Sequence, residues 1–267
     1  MEHWQLFLLF FTIAAVYASA GFGGGSSYLA VMALYGISMV TMRPPSLFCN
    51  IVVVLGGTYL FWKNGYLNFK KIIPLSIASI PMAFLGGLMP LKEQTFFVLL
   101  GISLVIVAFL MFFQQYFIRR DTYGKNEIPT NIGDHFMTNN QSPITNNQTL
   151  KGGIIGGAIG FLSGMVGIGG GIFLSPILNL MKWDTPKNIA ATASFFILIN
   201  SISGLVGQLS KNPHVDWAFT LPLMAAVLFG GQLGSRFSAL KLNQVWVHKV
   251  TAALVLYAGI NILWTHL

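Results

Sequence analysis

Ten apolar segments, separated by short polar stretches, run along the 267 residues of this chain. Five lie in each half in the same order: one of about 15 residues, one of about 10 to 12, and three of about 18 to 23. A helix needs about 20 residues to cross a bilayer, so the three long segments of each half are long enough and the first two are too short. The pattern predicts an all-α polytopic membrane protein. The segments are 6–20, 26–37, 44–62, 72–89, 95–117, 152–166, 172–181, 190–209, 217–237 and 245–264.

The two halves of the chain repeat one another. The sequence GFGGG at 21–25 returns as GIGGG at 167–171, and equivalent positions stay 146 to 148 residues apart along the halves. This regular spacing indicates an internal duplication. Further matches are Asn68 with Asp216, Pro74 with Pro222, and Gly86 with Gly234. We expect a first transmembrane repeat at 1–117, a polar, Asn-rich linker at 118–150 and a second transmembrane repeat at 151–267.

The basic residues of the polar stretches predict how the repeats are oriented. If the second half is inverted relative to the first, nearly all of these residues fall on one side, as expected of the cytoplasmic side, whereas parallel halves would scatter them. Each repeat is then a short, broken or hairpin-like helix pair followed by three transmembrane helices. We expect a multi-pass protein of the cell membrane with a cytoplasmic linker and both termini outside. The basic residues on the opposite, outer side are Arg43, Lys92 and Lys211.

Composition and charge exclude several functions. The net charge of +8 comes mostly from short loops, where membrane orientation explains it, so we expect membrane lipid and no nucleic acid as a partner. The one cysteine, Cys49, allows no intramolecular disulfide and no metal-ligand pair, and we expect no cofactor. All seven acidic residues lie in loops or at segment ends, which disfavours a cation as substrate. Ser163 has no histidine at its depth to act as a base, so we expect no enzyme.

The glycine-rich stretches predict an anion site. A helix that starts after several glycines directs unpaired amides and the positive end of its dipole at one spot, without a side chain in the way. Inversion would bring the two stretches together near the membrane midplane, as in transporters with broken helices. The candidate residues are Gly23, Gly24, Gly25, Ser26, Ser27, Gly169, Gly170 and Gly171, with Asn50, Thr192 and Ser194 as weaker candidates at the start of the third segments.

Two other interpretations concern individual residues. Glycines at 152, 156, 160 and 164 form a stripe typical of close helix packing, and packing alone is the alternative explanation for all of these glycines. Arg43, beside two prolines, is expected to be an interfacial anchor, with attraction of anions to an outer vestibule as its alternative role. Asn200, Ser201, Ser203 and Gln208 add further polar positions in the eighth segment.

Several stretches of the second half resemble the TauE/SafE family of membrane permeases. They are GIGGGIFLSP at 167–176, DTPKNIAATAS at 184–194, VDWAF at 215–219 and GGQLGSR at 230–236. The resemblance covers nearly the whole chain except the linker and is weaker in the first half, where MRPPSLFCN stands at 42–50. It implies transport of small sulfur-containing anions, such as sulfite or organosulfonates, across a bacterial-type cell membrane.

The residue patterns predict a secondary transporter that moves a small anion by alternating access, and the resemblance implies that this anion contains sulfur. The anion would be held at the midplane by the glycine-rich helix N-termini. A passive anion channel and a non-transporting membrane scaffold are the alternatives. The direction of transport, the coupling ion and the choice between a monomer and a homodimer stay open at this point.

Overall fold

The structure, a computed structural model, describes residues 4–19, 23–123, 146–237 and 244–266. These ranges contain ten α-helices and no β-strand, so the all-α prediction is confirmed, with one helix for each predicted segment. Gly21, Phe22 and most of the predicted linker lie outside the described residues. The helices are α1 (Trp4–Ser19), α2 (Gly25–Leu34), α3 (Met39–Lys63), α4 (Phe69–Leu88), α5 (Glu93–Tyr123), α6 (Asn146–Val166), α7 (Gly171–Leu180), α8 (Pro186–Lys211), α9 (Trp217–Phe237) and α10 (Gln244–His266).

The long helices have the composition of membrane spans. Within the described residues, α3, α4, α5, α8 and α9 are each long and apolar enough to cross a bilayer. Large apolar side chains such as Ile77 and Phe229 are exposed on their outer surfaces, as expected of a lipid-facing surface. By contrast, α2 and α7 have 10 residues each. They would extend only about 15 Å, half of the roughly 30 Å apolar core of a membrane.

The helix contacts agree with a duplication. α1 packs against α9 as α6 packs against α4, and α2 packs against α10 as α7 packs against α5. α3 contacts its own counterpart, α8, and α5 contacts α10 in the same way. Exchanging the two halves therefore maps these contacts onto themselves, which is the pattern expected of two interlocked repeats. The orientation of each repeat relative to the membrane stays a prediction.

The glycine stripe of α6 serves helix packing. A Cβ on Gly160 would lie 2.6 Å from the carbonyl oxygen of Ser79 in α4, and Cβ atoms on Gly156 and Gly164 would overlap the backbone of the same helix. Such overlap means that the two backbones touch, which only a glycine permits. For this stripe, the packing interpretation is correct.

α3 and α8 run antiparallel through the centre of the molecule. The hydroxyls of Thr58, near the end of α3, and Ser194, near the start of α8, form a hydrogen bond of 3.0 Å. At the other end, the side chains of Arg43 in α3 and Gln208 in α8 both donate to the backbone carbonyl of Gly164. The midpoint of each helix therefore lies at the same level, next to the glycine-rich turns.

Candidate anion site at the glycine turns

The two glycine-rich turns meet at a single side chain, Asn50 of α3. A Cβ on Gly23 would lie 2.7 Å from the Oδ1 atom of Asn50, and a Cβ on Gly169 would lie 2.8 Å from its Nδ2 atom. A Cβ on Gly25 would overlap the same amide group. Asn50 is fully buried, so it fills the space between the turns. We call Asn50 together with residues 23–25 and 167–171 the glycine junction.

Two polar residues of α3 bind the turns to each other. The Nδ2 group of Asn50 donates to the carbonyl oxygen of Ile168 at 2.9 Å. The hydroxyl of Ser46 lies 3.2 Å from the carbonyl oxygen of Gly25 and 3.1 Å from that of Gly167, and its one proton is shared between them. Ser46 and Asn50 lie four residues apart, so they share one face of α3. Through this face, a helix of the first repeat holds both turns.

The second turn needs glycine for its backbone conformation. Gly167, Gly169 and Gly170 have φ angles of 89°, 85° and 79°, in the left-handed region where other L-residues are strained. Gly170 ends the turn, and its carbonyl oxygen accepts from the amides of Phe173 and Leu174 in the first turn of α7. The glycines thus allow the chain to reverse between α6 and α7 in a short distance.

The first turn needs glycine for a different reason. Gly24 has a φ of −91°, which any residue can adopt. A Cβ at this position would lie 2.6 Å from the ring of Tyr28 and 2.9 Å from the side chain of Ile13. Glycine is therefore required here by the close packing around it, although the sequence pattern matches that of the second turn.

α2 and α7 both begin at the junction, at Gly25 and Gly171. By helix geometry, the first amides of each helix have no acceptor inside the helix, and the helix dipole adds partial positive charge at the same end. The two predicted serines of α2 differ. The hydroxyl of Ser27 is paired with the hydroxyl of Tyr17 at 2.7 Å, whereas the buried hydroxyl of Ser26 has no hydrogen-bond partner among the described residues.

Unpaired polar atoms gather around the junction. Within the described part of the chain, Asn50 Oδ1, Ser201 Oγ and Ser163 Oγ are buried and lack a hydrogen-bond partner. The Ser201 hydroxyl would lie 2.8 Å from a Cβ on Gly169, and Ser163 packs against Gly170. A buried polar group without a partner costs about 1–3 kcal/mol, so several together indicate a place where a ligand or water can bind.

The structure does not bring Thr192 and Ser194 to the turns. Instead, the second turn contacts Ala193, Ile197 and Ser201, which are spaced by four residues along one face of α8. Thr192 and Ser194 flank Ala193 in sequence, and neighbouring residues of a helix point about 100° apart. Ser194 bonds to Thr58 instead, and Thr192 is buried elsewhere on α8. Ser46 and Ser201 are the residues whose importance the sequence pattern did not indicate.

Two cavities lie at opposite ends of α3 and α8. The first, of about 260 Å³, includes Arg43 near the start of α3 and Gln208 near the end of α8. The second, of about 320 Å³, includes Val54, Gly57 and Ser194. Along α3, Asn50 of the glycine junction falls between these two sets.

Comparison with known proteins identifies the family. Residues 6–262 match the family described as Sulfite exporter TauE/SafE. The chain belongs to this family. It is 32% identical over 260 residues to a probable membrane transporter protein of Sinorhizobium fredii, covering 97% of each chain. It is 28% identical to the probable membrane transporter protein YunE of Bacillus subtilis, over 71% of this chain and 68% of that one. No solved structure gives a significant match.

The protein is therefore a multi-pass membrane transporter of the TauE/SafE family. Family and relatives are transporters and not enzymes, which confirms that prediction. Among the residues that the structure describes, no group of three or more metal-binding side chains occurs.

One ion pair joins the repeats of this TauE/SafE transporter at a helix end. Lys71 Nζ lies 2.9 Å from Asp184 Oδ2, and it also donates to the backbone carbonyl of Trp183. Burial by itself raises the pKa of Asp184, but hydrogen bonds from Lys71, the Thr185 amide and Asn188 lower it, and the net pKa lies below its usual value. The carboxylate is thus held charged as a link between α4 and the α7–α8 connection.

Proposed function

We propose that this transporter moves a small sulfur-containing anion, such as sulfite or an organosulfonate, across the cell membrane by alternating access. The proposal places the anion at the glycine junction. The observation that carries it is the convergence of two buried helix starts, one from each repeat, on Asn50 between two cavities. The family name, Sulfite exporter TauE/SafE, supports the chemical class of the substrate.

The chemistry of the junction suits an oxyanion. In this proposal its donors are the first amides of α2 and α7, the Nδ2 group of Asn50, and the hydroxyls of Ser46 and Ser201. A sulfite or sulfonate group has three acceptor oxygens and can accept from both helix starts at once. The junction residues include no carboxylate that would repel such an anion.

Binding at this place would be coupled to movement. In the structure, Asn50 Nδ2 and the Ser46 hydroxyl donate to the carbonyls of Ile168, Gly167 and Gly25. An anion that takes these donors replaces the bonds that hold the turns together. The turns are then free to separate on one side, so that the junction opens to one cavity while it stays closed to the other.

The same bonds argue against a passive channel. A channel needs a continuous path, whereas Ser46 and Asn50, which lie on α3 between the residues that line the two cavities, bond to the glycine turns. A non-transporting scaffold is disfavoured because the relatives are described as membrane transporters.

Flux into proteoliposomes tests the proposal. We expect wild-type protein to show saturable uptake of radiolabelled sulfite or taurine, accelerated by unlabelled substrate on the other side. Gly24→Leu and Gly170→Leu should abolish uptake while the protein still inserts. Gly36→Leu is the matched control, because Gly36 also has a positive φ of 69° but no described atom lies within 4 Å of a Cβ there.

Three results would contradict parts of the proposal. Conductance without saturation or trans-stimulation would indicate a channel. Wild-type flux in both Gly24→Leu and Gly170→Leu would show that the anion does not bind at the junction. Saturable flux of other anions without any flux of sulfur oxyanions would refute the substrate class.

A further inference from the structure

Arg43 is a buried cation without a counter-charge in the described part of the chain. Only 8% of its surface is exposed, although it lies near the start of α3, and the expectation of an interfacial anchor is therefore wrong. Its Nε atom is buried and has no hydrogen-bond partner among the described residues. Its Nη2 group donates only a long bond of 3.4 Å to the carbonyl of Gly164. The ring of Phe96 lies 5.8 Å from the guanidinium and adds a weak cation–π contact.

A charge in such a position is expected to be paired. Burying an unpaired guanidinium is costly, so buried cations normally contact a carboxylate or a bound anion. The Lys71–Asp184 contact is the one ion pair found within the described residues. Glu93, a carboxylate near the start of α3, accepts from the backbone amide of Met39 and does not form an ion pair with Arg43. Arg43 thus has the environment of a residue that pairs with a bound anion.

The surroundings of Arg43 have the size and charge for a small anion. Arg43 lines the cavity of about 260 Å³, which we call the Arg43 cavity. Lys211 and His214 are exposed and also line this cavity, whereas Gln208 is buried beside Arg43. No acidic side chain is among its described lining residues. The cavity therefore runs from an exposed basic rim to a buried guanidinium, and such a gradient attracts and retains anions.

We propose that the Arg43 cavity is a second anion-binding site, separate from the glycine junction, that takes a small oxyanion such as sulfite. It rests on the proposed function for the choice of this anion. Arg43 forms a charge-assisted pair with the anion, and the anion replaces the long bond to the Gly164 carbonyl. Since Gly164 lies three residues before the second glycine turn, an anion leaving this cavity has the junction next on its path. The positive-inside pattern predicts that this site faces outside.

Binding and flux measurements with sulfite as the probe test the second site. Wild type, Arg43→Gln, Arg43→Lys and Lys92→Gln are purified, and their thermal midpoints are followed over a sulfite titration at constant ionic strength. Lys92 is the matched control, since it is an exposed basic residue predicted on the same face and does not line the cavity. The same titration in Gly170→Leu reports sulfite binding in a protein whose second glycine turn is disturbed.

We expect Arg43→Gln to raise the half-saturating sulfite concentration about tenfold or more, because the guanidinium supplies the charge of the site. Arg43→Lys should retain part of the affinity, and Lys92→Gln should bind as wild type does. Without sulfite, Arg43→Gln should unfold at the same temperature as wild type or higher, because a buried unpaired charge is removed. If Arg43 only stabilised the fold, Arg43→Gln would unfold at a lower temperature than wild type. Gly170→Leu should keep its sulfite-dependent stabilisation and lose it when combined with Arg43→Gln.

The outcomes separate this proposal from the proposed function. Wild-type sulfite affinity in Arg43→Gln, together with normal flux, would overturn the Arg43 cavity and leave the glycine junction standing. A second outcome is that wild-type protein binds sulfite but does not transport it, and that Arg43→Gln lowers the sulfite affinity. This outcome would support the Arg43 cavity and refute sulfite as the transported substrate. If Gly170→Leu folds poorly, the half-saturating concentration of flux in Arg43→Gln decides instead, and an unchanged value would overturn the proposal.

Discussion

The glycines of the second turn provide the sharpest test of the structure, because two variants separate backbone strain from crowding. Gly36 and Gly170 have similar φ angles of 69° and 79°. A Cβ on Gly36 would meet no described atom within 4 Å, whereas a Cβ on Gly170 would lie 3.1 Å from Ile159, 3.1 Å from Phe196 and 3.2 Å from Ser163. Replacement by alanine therefore imposes similar backbone strain at Gly36 and Gly170, but it adds steric crowding only at Gly170.

The two costs can be estimated from these contacts. Left-handed strain costs about 1–2 kcal/mol for an alanine, which applies to both variants. Three contacts shorter than ordinary van der Waals distance require neighbours to shift, and such overpacking adds about 1–3 kcal/mol in a packed interior. In a protein of this size, 1 kcal/mol shifts a thermal midpoint by about 2–4 °C. Gly170→Ala should therefore unfold about 2–12 °C below Gly36→Ala.

The assay is thermal unfolding of both purified variants in the same detergent and at the same heating rate, since membrane proteins often unfold irreversibly. Gly56→Ala serves as a further control, because Gly56 lies inside α3 and its nearest atom would be 3.6 Å away. It should unfold at or above the wild-type temperature, as alanine favours a helix over glycine. Equal midpoints for Gly170→Ala and Gly36→Ala would refute the crowded packing of the second turn.

Three further predictions concern contacts between the repeats. Asn50→Leu removes the donor to Ile168, so it should destabilise the protein by about 1–3 kcal/mol in thermal unfolding, and a midpoint equal to that of wild type would contradict the link between the turns. Lys71→Met should lower the midpoint at neutral pH by an amount that shrinks below about pH 4, because the stability from a lowered Asp184 pKa is lost as the carboxylate becomes protonated. A constant difference across pH would show that the ion pair does not contribute. In a Cys49→Ser background, the double variant Thr58→Cys and Ser194→Cys should form a disulfide on mild oxidation, since the hydroxyls that the cysteines replace are 3.0 Å apart. The control pair, Thr58→Cys with Ser210→Cys at the other end of α8, should not form one.

Much of the fold followed from the hydrophobic pattern. The starts of α4, α7 and α9 lie within three residues of the predicted segments, because apolar length is a strong signal in a membrane protein. α3 begins at Met39, five residues before the start of the predicted segment at Pro44. In the structure Pro44 and Pro45 lie inside the helix. The misplaced start also led to the wrong expectation for Arg43, which became a loop residue in the prediction.

The candidate site was predictable in part. The repeated glycines indicated the two turns, and Asn50 stood out as a polar residue that is costly to bury. The roles of Ser46 and Ser201 were not visible, because a hydroxyl in an apolar helix most often bonds to its own backbone. The face of α8 that meets the second turn depends on how the helix is rotated about its axis. This rotation places Ala193 against the turn and directs its neighbour Ser194 to Thr58 instead.

The sequence by itself determined the membrane environment, the number of helices and the duplication, since these depend on apolar length and on residues that recur at a fixed spacing. Only the tertiary structure decided what lies beside the glycines and where the polar side chains of α3 point, because both depend on contacts between different segments of the chain, such as Asn50 with Ile168, 118 residues later. For the same reason, only the structure revealed that Arg43 is buried. A charge next to two prolines in the sequence does not indicate whether lipid headgroups, solvent or another helix will surround it.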